Sequence, residues 1–206
     1  MLKKQITQYF ADLKEMQPGA DGKIEVYKEE FDYAERHQLI NEEFKPRIRV
    51  NELTPVTRFG SAYIERSDKE LEKFLGEESF EFLNQPIDYL KKHLHEFIYM
   101  ESDWFEIIGV DAFSFEVDDV FGTYDVMLGL KIQKKYDKTL KALLNDKLQG
   151  DDTKFDLLFN NEDGLWNLNF ALNNVEGFDE NMTLGDAFLL IYRFVFNLAE
   201  QAEESN

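Results

Sequence analysis

From Gly109 onward the chain alternates apolar and polar positions with two different periods, and the switches between those periods divide it into elements. Phe113, Phe115 and Val117 alternate with Ser114 and Glu116. Tyr124, Val126, Leu128, Leu130 and Ile132 alternate with Asp125, Met127, Gly129 and Lys131. A period of two marks strands with one buried face. It recurs in Phe155, Leu157 and Phe159 and again in Trp166, Leu168, Phe170 and Leu172, with Asn160 to Gly164 between them as a hairpin loop. A helical period separates the two pairs. Tyr136, Leu140, Leu143, Leu144 and Leu148 predict a helix over 134–149 that Gly150 stops. Thr183 caps a last helix from Leu184 to about Glu203, with Asp186 suited to the positive end of its dipole. The predicted order is ββαββα, and Trp166 opens its clearest strand.

The first half reads differently. Leu2, Ile6, Phe10 and Leu13 form one stripe of a helix that stops before Pro18-Gly19. Asp21-Gly22 is a turn, Lys23 to Tyr27 begins a strand or the next helix, and Phe31, Ala34 and Leu39 support helix over 28–39. Pro46 breaks a connector that holds a strand at Arg47 to Val50. Three helix starts follow: Thr54-Pro55; Ser67-Asp-Lys-Glu70 as a capping box leading to Leu71, Phe74 and Leu75; and Pro86 before Ile87, Leu90, Leu94, Phe97 and Ile98. These predict an α+β protein in which a helical N-terminal half packs on an antiparallel sheet in a ββαββα C-terminal half. No low-complexity linker intervenes, so 1–206 is expected to be one domain, mostly helical over 1–108 and ββαββα over 109–206.

Composition narrows the class of function. The chain has 206 residues, 19 of them Phe, and a formal charge of −19. That charge argues against nucleic acid and anionic membrane as partners, because both would repel it. The absence of cysteine removes thiol nucleophiles, disulfides and cysteine-ligated metal. No stretch has the apolar length of a signal peptide or a membrane span, so a cytoplasmic protein is expected.

Candidate chemistry is sparse. His93 and His95 are two apart on a predicted helix and point to opposite sides of it. Glu116, Asp118, Asp119 and Asp125 gather near one turn, where they make either a solvated turn or a paired-carboxylate or cation site. Five of the six arginines lie between Arg36 and Arg66. Arg47, Arg49 and Arg58 are the candidates for an anion or partner contact, against internal pairing with the surplus carboxylates. On the last helix, Leu184, Ala187, Phe188, Ile191, Val195 and Leu198 suffice to cover a sheet. A second stripe, Leu189, Tyr192 and Phe196, is either covered by the N-terminal helices or exposed as a partner or dimer face.

One segment, Glu176-Gly177-Phe178-Asp179-Glu180-Asn181, resembles the E-G-x-G-E-N segment of branched-chain amino acid aminotransferases. In that family the segment sits beside pyridoxal phosphate. The chain as a whole also resembles small acidic bacterial proteins grouped under that aminotransferase label. The resemblance implies a pyridoxal-phosphate enzyme. It covers six residues, Asp179 stands where the family has its second glycine, and no Schiff-base lysine motif accompanies it. The expectation is therefore a non-catalytic protein-binding, chaperone-like or regulatory module without a cofactor, with a protein partner or a second copy as its target. The aminotransferase is the alternative.

Overall fold

Seven strands form one antiparallel sheet in the computed structural model, which describes residues 1–16, 22–51, 55–150 and 155–205. The first half runs α1 (Leu2–Glu15), β1 (Ile24–Tyr27), α2 (Lys28–Arg36), β2 (Ile48–Asn51), α3 (Pro55–Arg58), β3 (Tyr63–Asp68), β4 (Lys73–Glu78), α4 (Tyr89–Lys92), β5 (Glu96–Glu101) and α5 (Asp103–Ile107). Then follow β6 (Val110–Val117), β7 (Tyr124–Leu130), α6 (Asp137–Lys147), β8 (Phe155–Asn160), β9 (Leu165–Ala171) and α7 (Leu184–Glu204). The sheet order is β4-β3-β5-β6-β7-β9-β8, while β1 and β2 pair in parallel as a separate ribbon.

The protein is α+β, as the periodicity requires, but its first half is not mostly helical. It supplies β3, β4 and β5 to the sheet. The residues read as a capping box and helix, Ser67 to Gly76, instead make the β3–β4 hairpin. Asp68 accepts hydrogen bonds from the amides of Glu70 and Leu71, at 3.0 and 2.8 Å, and so closes a turn rather than starting a helix. Short polar side chains satisfy backbone amides equally well in either role, so the motif alone does not choose. The helix after Pro86 lasts only one turn, and Phe97 and Ile98 belong to β5. There the tertiary pairing of β5 between β3 and β6 overrides local spacing. Pro18-Gly19, Asp21 and Thr54 lie outside the described residues.

One face of the sheet carries the core. Ile98, Met100, Phe113, Phe115, Val126, Leu128, Leu168 and Phe170 all point to it and are buried. The helix α7 lies along this face, with Phe188 against Phe115 at 5.6 Å and Phe194 against Phe170 at 4.9 Å between ring centroids. Thr183 and Asp186 form a reciprocal capping box at its start. Burying each large apolar side chain contributes about 1.5–3 kcal/mol, so this face dominates the fold's stability.

Leu189, Tyr192 and Phe196 are buried as well, so they do not form an exposed partner or dimer face. The chain itself covers them. Tyr33 of α2 meets Phe196 edge-on at 5.9 Å, and the Tyr192 hydroxyl donates to Glu30 of the same helix. Arg58 is buried here too, its guanidinium 4.2 Å from the centroid of Tyr192, 4.3 Å from that of Tyr27 and 4.8 Å from that of Trp104. It donates to both oxygens of Glu30, at 2.6 and 3.0 Å, and to Glu29 at 2.9 Å. Arg58 is therefore no surface anion contact: its two terminal nitrogens bind Glu30 and Glu29 and lock α3 and α2 onto α7.

Candidate functional site

No described helix packs on the second face of the sheet. Period two in the strands fixes what it displays. Along one row, Phe74 of β4 faces Ser67 of β3, then Phe97 of β5, Glu116 of β6, Asp125 of β7 and Ala171 of β9. The adjacent row runs Glu77, Glu65, Tyr99, Ser114, Met127 and Asn169. Asn169 in this row and Asn167 beside Gly129 on the same face are exposed.

A shallow concavity of about 480 Å³ opens in this face, floored by Phe97, Ser114 and Met127 and rimmed by Phe74, Glu65, Glu72 and Glu116. Lys69 is the single basic residue among those lining it. Its amine is engaged, donating to the Val117 carbonyl and to Asp119, each at 2.8 Å, with Glu116 at 3.7 Å. This contact ties the β3–β4 turn to the β6–β7 turn. Both turns expose apolar side chains at that end of the sheet: Val120 and Phe121 are each 82% exposed and Leu71 is 73% exposed.

The electrostatics of the face are unfavourable to folding. Glu65 stands directly opposite Glu77, and Glu116 directly opposite Asp125. Like charges facing each other across strands destabilise a sheet. Burial raises the Glu116 carboxyl above the usual carboxylate range, Lys69 opposing and Asp125 adding to the rise. Burial likewise raises Asp125, against a hydrogen bond from Thr123. Hydroxyls organise two further carboxylates, Glu65 and Glu101. Tyr63 and Ser67 donate to the two oxygens of Glu65, at 2.7 and 2.6 Å, and Tyr99 donates to Glu101 at 2.6 Å. The bond to Glu65 pushes the Tyr63 phenol up to about 12. Asp111 adds one more carboxylate. It lies over Gly129, where a Cβ would sit 3.0 Å from Asp111 Oδ1, so a larger residue would make the carboxylate shift by a few tenths of an ångström.

Of the acidic group at the β6–β7 turn, Glu116 and Asp125 belong to this face, whereas Asp118 does not. Asp118 accepts from the Val120 and Phe121 amides, which hold its pKa below the ordinary value and fix the turn. Arg47 lies over the Phe44 ring at 5.3 Å, and Arg49 pairs in register with Glu25 across the β1–β2 ribbon. The structure does not bring Arg47, Arg49 and Arg58 to one surface. His93 stacks on Tyr89 at 4.1 Å. The lining residues Glu65, Phe74 and Phe97 were not legible as a site, because Phe74 and Phe97 fall on stretches whose spacing also fits a helix.

The segment Glu176 to Asn181 is remote from this face, in the connection that enters α7. Asp179 Oδ1 accepts from the Asn181 backbone and side-chain amides, at 2.8 and 2.9 Å, and Glu180 pairs with Lys91. A groove of about 280 Å³ beside it is lined by Lys147, Glu176 and Arg193, and Arg193 is turned to Glu29. The hydrogen bonds from Asn181 hold Asp179 charged by lowering its pKa. Asp179 thus puts a third carboxylate on a loop whose counterpart in the resembling family has glycine at that place, and a carboxylate there opposes the close approach of a phosphate. No family model matches the chain, and searches of curated proteins and of solved structures return no match. No described helix is long and apolar enough to cross a membrane.

Proposed function

We propose that this protein is a non-catalytic binding module whose uncovered sheet face docks a basic segment of another protein. The observation that carries the reading is the acid-rimmed apolar concavity between β4 and β7. Glu65, Glu77, Glu116 and Asp125 form two like-charge pairs that oppose folding, around Phe74, Phe97 and Met127. A segment bearing arginine or lysine beside an apolar residue relieves both features at once. Its cations neutralise the carboxylates, and its apolar side chain covers the exposed floor. The phenol–carboxylate bonds from Tyr63 and Tyr99 hold acceptors ready, which lowers the cost of ordering the site. Nucleic acid and anionic lipid carry the wrong charge for this face.

The test is fluorescence anisotropy with labelled peptides that alternate Arg or Lys with Leu or Phe, measured at low and high salt. Glu65→Gln and Glu116→Gln should each weaken binding several-fold and flatten its salt dependence, while Glu162→Gln on the β8–β9 turn should not. Equal affinity of all the variants for the basic peptides, or equal binding of acidic control peptides, sinks the proposal.

A further inference from the structure

A second constellation lies on the opposite side of the molecule, where α2 ends against the last turns of α7. The α2 terminus is built precisely enough to aim a side chain. Leu39 donates its amide to the Ala34 carbonyl at 2.8 Å, and Gln38 takes a left-handed φ of 54°, the arrangement usually reserved for a C-terminal glycine. That closure leaves His37 at the cap, its ring packed on buried Tyr33 with centroids 4.2 Å apart. The imidazole is thus pinned. Its Nε2 is buried and makes no hydrogen bond.

Two carboxylates stand in front of that nitrogen. Glu204 Oε1 is 3.6 Å from Nε2 and Glu200 Oε1 is 3.9 Å from it. The three ligand atoms all lie within 4.8 Å of one another. Both glutamates come from one face of α7, one turn apart, at the negative end of a 21-residue helix with no basic residue in its last turn. Carboxylates there are disfavoured by the helix dipole, so the position calls for positive charge. Arg36 supplies part of it by pairing with Glu200. Its side chain is 56% exposed and is free to yield.

We infer that His37, Glu200 and Glu204 form a binding site for a divalent transition ion of the zinc class. The separations of 3.6 and 3.9 Å exceed a hydrogen bond but approach the edge of a tetrahedron around a metal. With metal–ligand bonds of about 2.0–2.1 Å that edge is about 3.3 Å, so each His37–glutamate separation closes by a few tenths of an ångström and the two carboxylates draw together from within 4.8 Å. One imidazole nitrogen with two carboxylates suits zinc, cobalt or manganese, whereas calcium and magnesium require a larger set of oxygens. Glu200 is buried, and Glu204 at 54% exposure leaves the fourth position open to water. The ion joins α2 to α7 and stabilises the fold by mass action, increasingly with the logarithm of its free concentration.

The experiment titrates the full chain, dialysed against chelator, with Zn²⁺ by calorimetry and with Co²⁺ by visible absorption. One equivalent of Zn²⁺ should bind, Co²⁺ should give ligand-field bands, and the melting temperature should rise with Zn²⁺ but not with equal Mg²⁺. His37→Gln and Glu204→Gln should each weaken Zn²⁺ binding at least tenfold and abolish the Co²⁺ bands. Glu204 is exposed, so its variant folds and keeps the test decisive. Glu162→Gln, on the β8–β9 turn, should leave Zn²⁺ binding and the Co²⁺ bands unchanged. No saturable Zn²⁺ binding, binding unchanged in both site variants, or loss through Glu162→Gln instead overturns the assignment.

Discussion

Arg58→Met should be among the most damaging single substitutions in this protein. The substitution keeps much of the side-chain volume but removes the charge that Glu30 holds at 2.6 and 3.0 Å. Glu30 is itself fully buried, and among the described residues its one remaining donor is the Tyr192 hydroxyl. Burial works to lower the Arg58 pKa, yet Tyr192, Glu30 and Glu29 together raise it overall, which marks a pair held by mutual compensation. Removing one partner of such a pair leaves an uncompensated buried charge and costs about 3–5 kcal/mol. In urea, with a slope of about 2–3 kcal/mol per molar, the unfolding midpoint should fall by roughly 1–2 M at unchanged slope. The double variant Arg58→Met/Glu30→Gln removes both charges while leaving Tyr192 an acceptor. It should recover more than half of the loss, because replacing a whole buried pair is often neutral or stabilising. A midpoint unmoved by Arg58→Met, or a double variant whose losses simply add, would refute the lock.

The raised pKa values of Glu116 and Asp125 mean that their protons bind the folded state more tightly than the unfolded one. The stability they contribute is complete below the ordinary carboxylate pKa of about 4 and is lost as pH rises through the folded values. Glu116→Gln and Asp125→Asn should therefore raise the thermal midpoint at neutral pH and give a smaller gain near pH 4; an advantage independent of pH would contradict this. Trp166, buried against Phe159 at 4.9 Å, should cost roughly 3–5 kcal/mol on replacement by alanine. Trp166→Phe should cost markedly less, since it also deletes an indole N–H that makes no hydrogen bond, and equal denaturant midpoints for the alanine variant and the parent would remove Trp166 from the core. Incubation with pyridoxal phosphate should give no aldimine absorbance band and no lysine fixed by borohydride; either signal, with transamination of leucine or valine, would restore the aminotransferase reading.

The C-terminal strands were legible because each has one wet face, and burial alternates along β6, β7 and β9 as their sequences do. The N-terminal strands were not. In β4 the apolar residues Phe74 and Leu75 are exposed, so hydrophobicity there does not report the core. In β5, Phe97 and Ile98 point to opposite sides of the sheet, and their adjacency mimics the edge of a helical stripe. The second stripe of α7 was visible, but what covers it was not. Glu30 and Tyr192 meet across 162 residues of sequence, and no local pattern encodes such a contact. The cluster at His37 shares this property: the glutamates are one helical turn apart, while the histidine arrives from α2.

The two faces of the sheet differ in how they treat charge, and that difference is the strongest reason to look for a partner. On the covered face, charges are matched. Arg58 answers Glu29 and Glu30, Arg66 answers Glu78 and Glu96, and Arg193 shares Glu29. On the open face the opposite holds: acids face acids, and the one cation lining the concavity is already spent at its edge. Solubility alone does not require this arrangement. A chain carrying 42 acidic residues gains solvation by spreading them, whereas direct cross-strand pairing costs stability for no added solvation. Exposed Phe74 beside those carboxylates compounds the cost, since an apolar surface patch invites association. Under the proposed function, a cationic, partly apolar ligand would turn each of these costs into binding free energy.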